Sequence, residues 1–312
     1  MSIRVTANPY DGNLITHTGT FHADEVISTV ILSKTFYGIA TVLRTVSVPK
    51  EKFAETEPII YDIGGGEFDH HQTGGNGTRE NGVPYASAGL VWKEYGLKIL
   101  FSTFNDASDD EIKFIFDYID KSLIQGVDAY DNGVLPKADY PAQSMNFSEI
   151  IRNFNPTWNS EETSDMAFVQ AVNFAEVIFD KLIETAHAKS KATSIIEEAI
   201  SNSNRGIMTL PQKLDWQDAF FSSENPKAKE INYVIFPSNR EDYKVRCVPD
   251  ELNGFGQRMP LPVKWRGLKN EELQKYSGVP DAIFCHPNGF IAAAASFEGA
   301  LKLAEMATWE NM

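Results

Sequence analysis

The sequence lacks the features that would place it outside the cell or in a membrane. Only two of its 312 residues are cysteines, which is too few for a disulfide framework and is typical of a reducing compartment. It has no run of about 18 apolar residues, so we expect no membrane-spanning helix and no membrane partner. Its first residues show neither a secretory signal nor a transit peptide. We therefore expect an intracellular, cytoplasmic protein, and the sequence leaves nucleus, organelle and oligomeric state open.

Three widespread catalytic motifs are missing as well. The glycines Gly64, Gly65 and Gly66 lack the G-x-G-x-x-G spacing and lead to Asp-His-His instead of a helix, which argues against a dinucleotide-dependent dehydrogenase. The chain has no Walker A lysine motif and no G-x-S-x-G nucleophile elbow. Any catalysis must therefore use other groups.

Basic residues are scarce, and the imbalance is concentrated in the first two thirds of the chain. The formal net charge is −15. Residues 1–204 contain 15 Lys and Arg against 29 Asp and Glu, whereas residues 205–312 contain 13 against 14. Phosphate binding normally uses a basic face, so such a chain should repel bulk nucleic acid. The acidic clusters of the N-terminal part are instead candidates for binding metal ions.

The order of short apolar runs and helical patterns predicts an α/β fold. Helical patterns at 86–95 and 111–125 lie among strand-like runs, and a glycine follows each of them. A stretch at about 161–200 has few helix breakers and predicts a long connecting helix. We place a larger domain with a parallel-rich sheet at residues 1–200 and a smaller α/β domain at residues 201–312.

Four separated segments are rich in side chains that bind metal ions. In an open α/β sheet, loops at the carboxyl ends of the strands converge on one crevice, where clustered carboxylates repel one another unless cations neutralise them. Mixed imidazole and carboxylate ligands suit Mn²⁺, Fe²⁺, Co²⁺ or Zn²⁺ better than Mg²⁺. The segments contain His17, His22 and Asp24; Asp62; Asp69, His70 and His71; and Asp128 with Asp131.

Each of these elements alone has a structural explanation. Asp62 could cap a loop at the end of its strand, and Asp131 could cap the Asn-Gly turn beside it. On a strand, His70 and His71 would point to opposite faces and could not both bind one ion. His187, within the long helix, is expected to be structural or solvent-facing. The agreement of order, spacing and strand-end placement nevertheless favours a metal site.

The same segments resemble a known superfamily. Asp69-His70-His71, preceded by a strand-end aspartate and a histidine-aspartate loop, resembles the DHH phosphoesterases. Seven motifs over nearly the whole chain resemble, more narrowly, the melanocyte-proliferating-gene (MYG) family. They are His17-x-Gly19-x-Phe21-His22-x-Asp24-Glu25, Tyr61-Asp62-Ile63-Gly64-Gly65, Phe68-Asp69-His70-His71-Gln72, Val127-Asp128-Ala129-x-Asp131-Asn132-Gly133, Arg152-x3-Pro156-Thr157-Trp158-Asn159, Arg258-x-Pro260-Leu261-Pro262-x2-Trp265-Arg266-Gly267-Leu268 and Phe284-x-His286-x2-Gly289-Phe290-Ile291.

This resemblance implies a metal-dependent phosphodiesterase, with 3′→5′ exonuclease action on RNA as the expected activity. It also implies an active site between a DHH-type N-terminal domain and a smaller C-terminal domain. Asp62 would bridge two metal ions, and His71 would face the substrate phosphate, where it could donate a proton. The metal ligands implied are His17, His22, Asp24, Asp62, His70 and Asp128.

The chemistry expected of such a centre follows from charge. Two divalent ions about 3.5–4 Å apart would share a water, lower its pKa and deliver hydroxide to the phosphorus. The same ions would neutralise the phosphate, so that an acidic domain tolerates an anionic substrate. The superfamily commonly has an aspartate where His22 stands. The more nitrogen-rich site here favours Mn²⁺ or a later transition metal, with Mg²⁺, Co²⁺ and Zn²⁺ as alternatives.

The C-terminal part offers candidate substrate contacts. Arg258 and Arg266 carry planar guanidinium groups suited to phosphate, and Trp265 could stack on a base. The resemblance suggests further contacts from His286 and Gly289, in a polar turn between two apolar runs. The structural alternatives are that the Pro-rich segment only packs and that the turn only closes a hairpin.

Three functions remain in competition at this stage. The leading hypothesis is an exonuclease acting on single-stranded RNA or a short oligonucleotide. A small-molecule phosphohydrolase, acting on dinucleotides or pyrophosphate, is the second, because a long RNA would need a longer basic track. The third is a metal-bound scaffold without catalysis, which the complete set of Asp24, Asp62, His70 and Asp128 argues against. Substrate length, RNA against DNA, and the physiological metal are left open.

Overall fold

The computed structural model describes residues 2–36, 39–49, 57–134 and 144–310. The chain divides into two compact units, unit 1 (Met1–His187) and unit 2 (Ala188–Met312). The division falls within a long helix, and the boundary predicted at residue 200 lies further along the same helix. Each unit has its own hydrophobic core.

Unit 1 is built on a four-stranded parallel sheet. In spatial order its strands are β1 (Ser2–Thr6), β3 (Ile39–Thr45), β2 (Leu14–His17) and β4 (Ile59–Ile60). The parallel sheet and the helices that follow its strands confirm the predicted α/β class.

The connection between β1 and β2 is unusually short for two parallel strands in one sheet. Such a crossover normally takes a dozen residues or more, whereas here seven residues, 7–13, suffice. The register explains this, because Thr6 pairs with Leu43 while Leu14 pairs with Val42. β1 therefore pairs with the first part of β3 on one side, and β2 pairs with the last part of β3 on the other side. The connection only has to cross β3 and does not have to run back along its length. The sequence pattern did not predict β1.

The helices of unit 1 cover this sheet and enclose a large core. All eleven residues of α1 are buried, including the polar residues Asp24, Glu25, Ser28, Thr29 and Ser33. Trp92 is fully enclosed, stacked on Phe116 with a centroid distance of 5.1 Å and in edge contact with Phe179 at 5.8 Å. The helices are α1 (Ala23–Ser33), α2 (Ser87–Thr103), α3 (Asp109–Ile119), α4 (Gln125–Asp131), α5 (Phe147–Arg152) and α6 (Ser164–Ser201).

Two glycines predicted to end helices lie inside them instead. Gly96 is in the middle of α2, where a Cβ atom would come within 2.8 Å of the Trp92 and Phe116 rings. It is therefore a packing position, not a helix stop. Gly126 lies in α4, which follows α3 through one π-helical turn at 120–124, and this turn carries the helical path past the predicted end. Gly133, with φ of 71°, closes the segment.

Unit 2 contains a five-stranded mixed sheet. Its strands, in spatial order, are β5 (Ile207–Thr209), β6 (Tyr233–Pro237), β7 (Tyr243–Cys247), β9 (Ile291–Ala294) and β8 (Ala282–Cys285). Only β5 and β6 are parallel. The accompanying helices are α7 (Gln217–Ser222), α8 (Asn270–Ser277) and α9 (Phe297–Glu310). Over the described ranges of both units, none of the helices is long and apolar enough to cross a membrane.

Candidate metal centre

The first part of the centre is the loop between β2 and α1. His17 is the last residue of β2, and His22 is the N-cap of α1. The Glu25 carboxylate accepts the backbone N–H of His22 at 3.0 Å, which satisfies one donor that the helix start leaves unpaired. This capping interaction places the Glu25 side chain, fully buried, beside both imidazoles.

His17, His22 and Glu25 form the first group of candidate ligand atoms, all within 4.8 Å of one another. His17 Nε2 lies 2.9 Å from Glu25 Oε1 and 3.3 Å from Asp62 Oδ2. The sequence reasoning missed Glu25. The His-x-x-Glu spacing at a helix start was the signal for it, since this is the spacing of a capping box.

Asp62 lies between this group and the second one. It follows β4 with φ of 56°, a left-handed conformation that aspartate tolerates better than most residues but that still stores strain. Its backbone N–H donates to Phe68 O at 2.9 Å, and the Ser87 hydroxyl donates to its Oδ1 at 3.3 Å. Burial tends to raise the Asp62 pKa, but the histidines His17 and His70 hold it down to about 2. The carboxylate is therefore ionised.

His70 and His71 follow in a loop, not in a strand. Their rings lie 4.3 Å apart between centroids, and each has a nitrogen 3.5 Å from Asp62 Oδ1. The objection that two neighbouring residues on a strand point to opposite faces therefore does not apply to His70 and His71. Asp69 accepts the Gly65 N–H at 2.6 Å and contacts His71 Nδ1 at 2.8 Å, so it orients the His71 ring from outside the group.

The second group centres on His70, whose side chain is almost fully buried. Its Nε2 lies 3.0 Å from Asp131 Oδ2, 3.5 Å from Asp62 Oδ1 and 3.6 Å from Asp24 Oδ2. Within the described parts of the chain, this nitrogen has no hydrogen bond of proper alignment. Leaving a buried polar atom in that state is costly. Three carboxylates converging on an imidazole nitrogen are a donor set that suits a divalent transition metal, so the residues present fit such an ion.

Asp24 is held in place by the start of another helix. Its two carboxylate oxygens accept the backbone N–H groups of Ser87, at 3.0 Å, and of Ala88, at 2.6 Å, at the first turn of α2. Complete burial, together with the charges of Asp62 and Asp131, raises the pKa of Asp24 well above its usual value. A cation beside these oxygens would relieve the repulsion between the carboxylates of Asp24, Asp62 and Asp131.

Asp128 and Asp131 occupy α4, and the structure gives them different partners. Asp131 faces His70, as described above. Asp128 is fully buried and accepts from Arg79 Nη1 at 2.6 Å and from the Gly89 N–H at 2.9 Å. Burial raises the pKa of Asp128 to about 6, although Arg79 opposes the shift. The metal role implied for Asp128 stays a prediction, and Asp131 is the residue of this helix that the geometry brings to His70.

Electrostatics show how the carboxylates are balanced. Burial alone would lower the pKa of His17, but hydrogen bonds with Asp62 and Glu25 raise it to about 11. Burial likewise opposes protonation of His70, whose pKa the carboxylates of Asp131 and Asp62 raise to about 11. Protonation of the two imidazoles would balance part of the carboxylate charge, and a bound divalent ion would supply that positive charge in place of the protons.

A cavity of about 710 Å³ opens over the centre. This size is in the usual range for sites that bind small organic molecules. Its walls include His17 and His22 of the first group, Asp131 of the second group and one arginine. The lining residues are His17, Thr20, His22, Asp62, Ile63, Gly64, Asp69, His71, Tyr130, Asp131 and Arg152.

In unit 2, three of the four predicted substrate contacts lie around one turn. Gly289 N–H donates to His286 O at 2.8 Å, and the side chain of Arg266 passes so close to Gly289 that a Cβ atom there would lie 2.5 Å from Arg266 Nε. Arg258 is separate, because its Nη1 donates to the carbonyls of Ala228 and Ile231 at 2.6 and 3.1 Å. The substrate roles of all four residues stay predictions.

Two further residues have the structural roles that the sequence allowed. Trp265 is fully buried in the core of unit 2, so the expectation that it stacks on a base is wrong and the packing alternative holds. His187 packs on Phe104 in unit 1 with a centroid distance of 3.9 Å, as expected for a structural histidine.

Fold and site together define the class of this protein. It is an α/β protein with a candidate histidine–carboxylate metal centre at the carboxyl edge of a parallel sheet, formed by the ends of β2 and β4 and the starts of α1 and α2. Unit 1 contributes every residue of this centre.

Sequence comparisons identify the family. The family MYG1_exonuc, described as "Uncharacterised protein family (UPF0160)", matches residues 13–308. The chain is 31% identical to the MYG1 exonuclease of Mus musculus, over 93% of this chain and 83% of the mouse protein. It is 30% identical to the MYG1 protein C694.04c of Schizosaccharomyces pombe, over 94% and 96%, and 32% identical to the MYG1 protein YER156C of Saccharomyces cerevisiae, over 94% and 94%. No solved structure matches. The chain belongs to the MYG1 family, as its motifs predicted.

Proposed function

We propose that this chain is a metal-dependent phosphodiesterase of the DHH type that removes nucleotides from the 3′ end of single-stranded RNA. The observation that carries the proposal is His70 Nε2, which faces three carboxylates without an aligned hydrogen bond to any described residue. The mouse relative, at 31% identity, is named an exonuclease, which supports the reaction class.

The proposal assigns each part of the centre a task. His17, His22 and Glu25 would hold one divalent ion, and His70 with Asp24 and Asp131 would hold a second, with Asp62 able to reach both groups. Bound there, Mn²⁺ or a similar ion would supply an activated water and neutralise the phosphate. The ligands that the resemblance implied are His17, His22, Asp24, Asp62 and His70, and the geometry adds Glu25 and Asp131. Asp128 would support the centre by accepting the Gly89 N–H in the first turn of α2, which holds Asp24.

His71 would act on the substrate directly. Its side chain is 61% exposed, so it is open to the cavity, unlike its neighbour His70 at 6%. Asp69 contacts Nδ1 at 2.8 Å and so directs Nε2 away from itself. We assign His71 to hold the phosphate by a hydrogen bond from Nε2 and to move a proton to the leaving oxygen.

A short substrate is the second candidate, and it is favoured by charge. Unit 1 is strongly acidic, and Arg258 of unit 2 is occupied by backbone carbonyls. Long single strands are bound by extended basic grooves, and a dinucleotide, short oligonucleotide or pyrophosphate needs only a local contact. Substrate length is therefore part of the test.

The test is cleavage of a 5′-labelled single-stranded RNA of about 20 nucleotides, a length that exceeds a single-domain site. The reactions contain Mn²⁺ or EDTA, and the proteins are the native chain, Asp62→Asn and Asp242→Asn. Asp242 is a buried carboxylate of unit 2 that pairs with Lys244, so it controls for the loss of a buried charge elsewhere.

A Mn²⁺-dependent ladder that shortens from the 3′ end, with Asp242→Asn active and Asp62→Asn inactive, is the expected result. If the chain cleaves dinucleotides or pyrophosphate but not the RNA, the proposed substrate changes from single-stranded RNA to these small molecules. Metal binding without cleavage of any of these substrates would overturn the proposal in favour of a scaffold.

A further inference from the structure

A single tryptophan stands fully in solvent on the segment between α5 and α6. The Trp158 side chain is 98% exposed. An indole buries about 150–250 Å² when it packs, and this ring has no ring contact with any residue that the structure describes. The backbone beneath it is nevertheless fixed, since Ser160 N–H donates to Thr157 O at 2.9 Å and closes a turn around Trp158.

This turn is attached to the metal-binding loop. The Asn155 side chain accepts the Phe21 N–H at 2.9 Å and donates to Phe21 O at 2.8 Å, a paired contact across 134 residues of sequence. Phe21 precedes His22 and lies fully buried. Trp158 is three residues from Asn155, so its Cα is within about 11 Å of it. The exposed ring therefore belongs to a segment whose backbone is anchored next to His22.

Arg152 lies on the other side of Asn155 and lines the cavity of the metal centre. It is the last residue of α5. Among the described residues, no carboxylate lies within ion-pair distance of its guanidinium, although the cavity is lined by three aspartates. The other arginines near the centre are paired, Arg44 with Asp165 and Arg79 with Asp120. Arg152 thus presents an unpaired planar cation to the cavity.

We propose that Arg152 and Trp158 form a nucleotide-binding subsite in unit 1, in which Arg152 binds a phosphate of a single-stranded nucleic acid and Trp158 stacks on a base. The inference rests on the proposed function. The family resemblance gave neither residue a role, and neither belongs to the two groups of candidate metal ligands. Arg152 lines the cavity of the metal centre, and the exposed Trp158 ring lies six residues further along the same segment. A guanidinium and an aromatic face suit the phosphate and the base of one nucleotide strand.

The site differs from the one that the sequence suggested. Trp265, the tryptophan first considered for stacking, is buried, and Arg258 is used by carbonyls. Arg152 and Trp158 instead have the exposure that binding requires. Stacking also explains how an acidic unit can retain a polyanion, because a base contact contributes affinity without a basic track.

The test measures binding, separately from cleavage, by fluorescence anisotropy with the native chain in EDTA, so that neither strand is cleaved. The probes are a labelled oligoadenylate of about ten nucleotides and the same sugar-phosphate strand without bases. Trp158→Ala should weaken binding of the oligoadenylate about tenfold and change binding of the base-free strand by less than about twofold. Trp158→Phe, which keeps an aromatic face, should restore most of the affinity.

Arg152→Ala should not discriminate between the two strands, because a phosphate contact is common to both. It should weaken binding of both strands, and it should reduce the slope of log Kd against log salt concentration by about 0.7, as expected for one lost phosphate contact on a single strand. Trp309→Ala is the matched control, because Trp309 is another exposed tryptophan, 72% exposed, in unit 2. It should leave both affinities unchanged.

The outcomes separate this inference from the proposed function. Equal binding of oligoadenylate by the Trp158→Ala chain and its parent overturns the stacking site, even when the native chain produces the RNA ladder. If Trp158→Ala weakens binding of the base-free strand as much as binding of the oligoadenylate, Trp158 has a structural role and the stacking site is likewise overturned. Failure of the parent to bind either strand overturns the subsite, and the proposed function is then judged by cleavage with the native chain alone.

Discussion

The two units bury very different kinds of side chain. Over the described residues, unit 1 buries six charged side chains, whereas the buried charged residue of unit 2 is Asp242, at 8% exposure. Unit 2 fills its sheet with small apolar residues, such as the alanines of β9. The buried charged residues of unit 1 are Asp24, Glu25, Arg44, Asp62, Asp69 and Asp128.

The partners of these charges show which of them are structural. Burying a charge is tolerated when it is paired and hydrogen-bonded. Arg44 satisfies this rule by pairing with Asp165 and donating to Gly19 O at 2.9 Å. Asp24 and Asp62 have histidines instead, whose charge depends on protonation. The candidate metal centre is thus the part of unit 1 where, among the described residues, buried carboxylates lack an arginine or lysine partner.

The largest effect is expected from the apolar core of unit 2. Trp265→Ala should lower the free energy of unfolding by about 3–5 kcal/mol, because it removes a fully buried indole. Trp158→Ala, at an exposed position, should change it by less than about 0.5 kcal/mol. Urea unfolding followed by circular dichroism measures both. Comparable losses would mean that Trp158 is packed in solution.

The next prediction compares the two buried aspartates. Asp62→Asn should weaken Mn²⁺ binding by more than about 100-fold, since even partners of metal ligands contribute 10–100-fold. Asp242→Asn, whose partners are Ser238 and Lys244, should leave the affinity unchanged. Isothermal titration calorimetry gives both values. Equal weakening in the two variants would show that metal affinity follows general stability and not the centre in unit 1.

A pH-dependent prediction concerns the two thiols of unit 2. Burial raises the pKa of Cys247 to about 12 and that of Cys285 to about 11. A raised pKa leaves less reactive thiolate at pH 8, so the native chain should react with Ellman's reagent at least about 100-fold more slowly than the unfolded chain. The native rate should rise as the pH increases towards 11. Fast, pH-independent labelling would contradict the burial of these side chains.

The smallest expected effect distinguishes the two aspartates of α4. Asp131→Asn should weaken Mn²⁺ binding about tenfold more than Asp128→Asn, because Asp131 faces His70 and Asp128 is held by Arg79. Both are measured by the same calorimetric titration. A larger effect of Asp128→Asn would favour the ligand set implied by the family motifs and would require Arg79 to move when the ion binds.

The sequence by itself determined the class of the fold, the family and most of the candidate ligands. Periodicity and strand-end placement are local properties, so they indicated the α/β pattern, the long helix and the group around His17, Asp62 and His70. Two local signals were available but were not used: the capping spacing that places Glu25, and the alternation of polar and apolar residues in β1 (Ser2–Thr6).

Only the tertiary structure decided which of these residues face the metal centre, which are paired elsewhere and which are buried. Asp128 and Asp131 are equivalent in sequence, and they differ because Arg79, 49 residues before Asp128, reaches one of them. Trp158 and Trp265 lie in similar motifs, and only packing shows that one is exposed and the other buried. Exposure and pairing depend on contacts between segments that are distant in sequence, and local residue type and spacing do not reveal which segments come into contact.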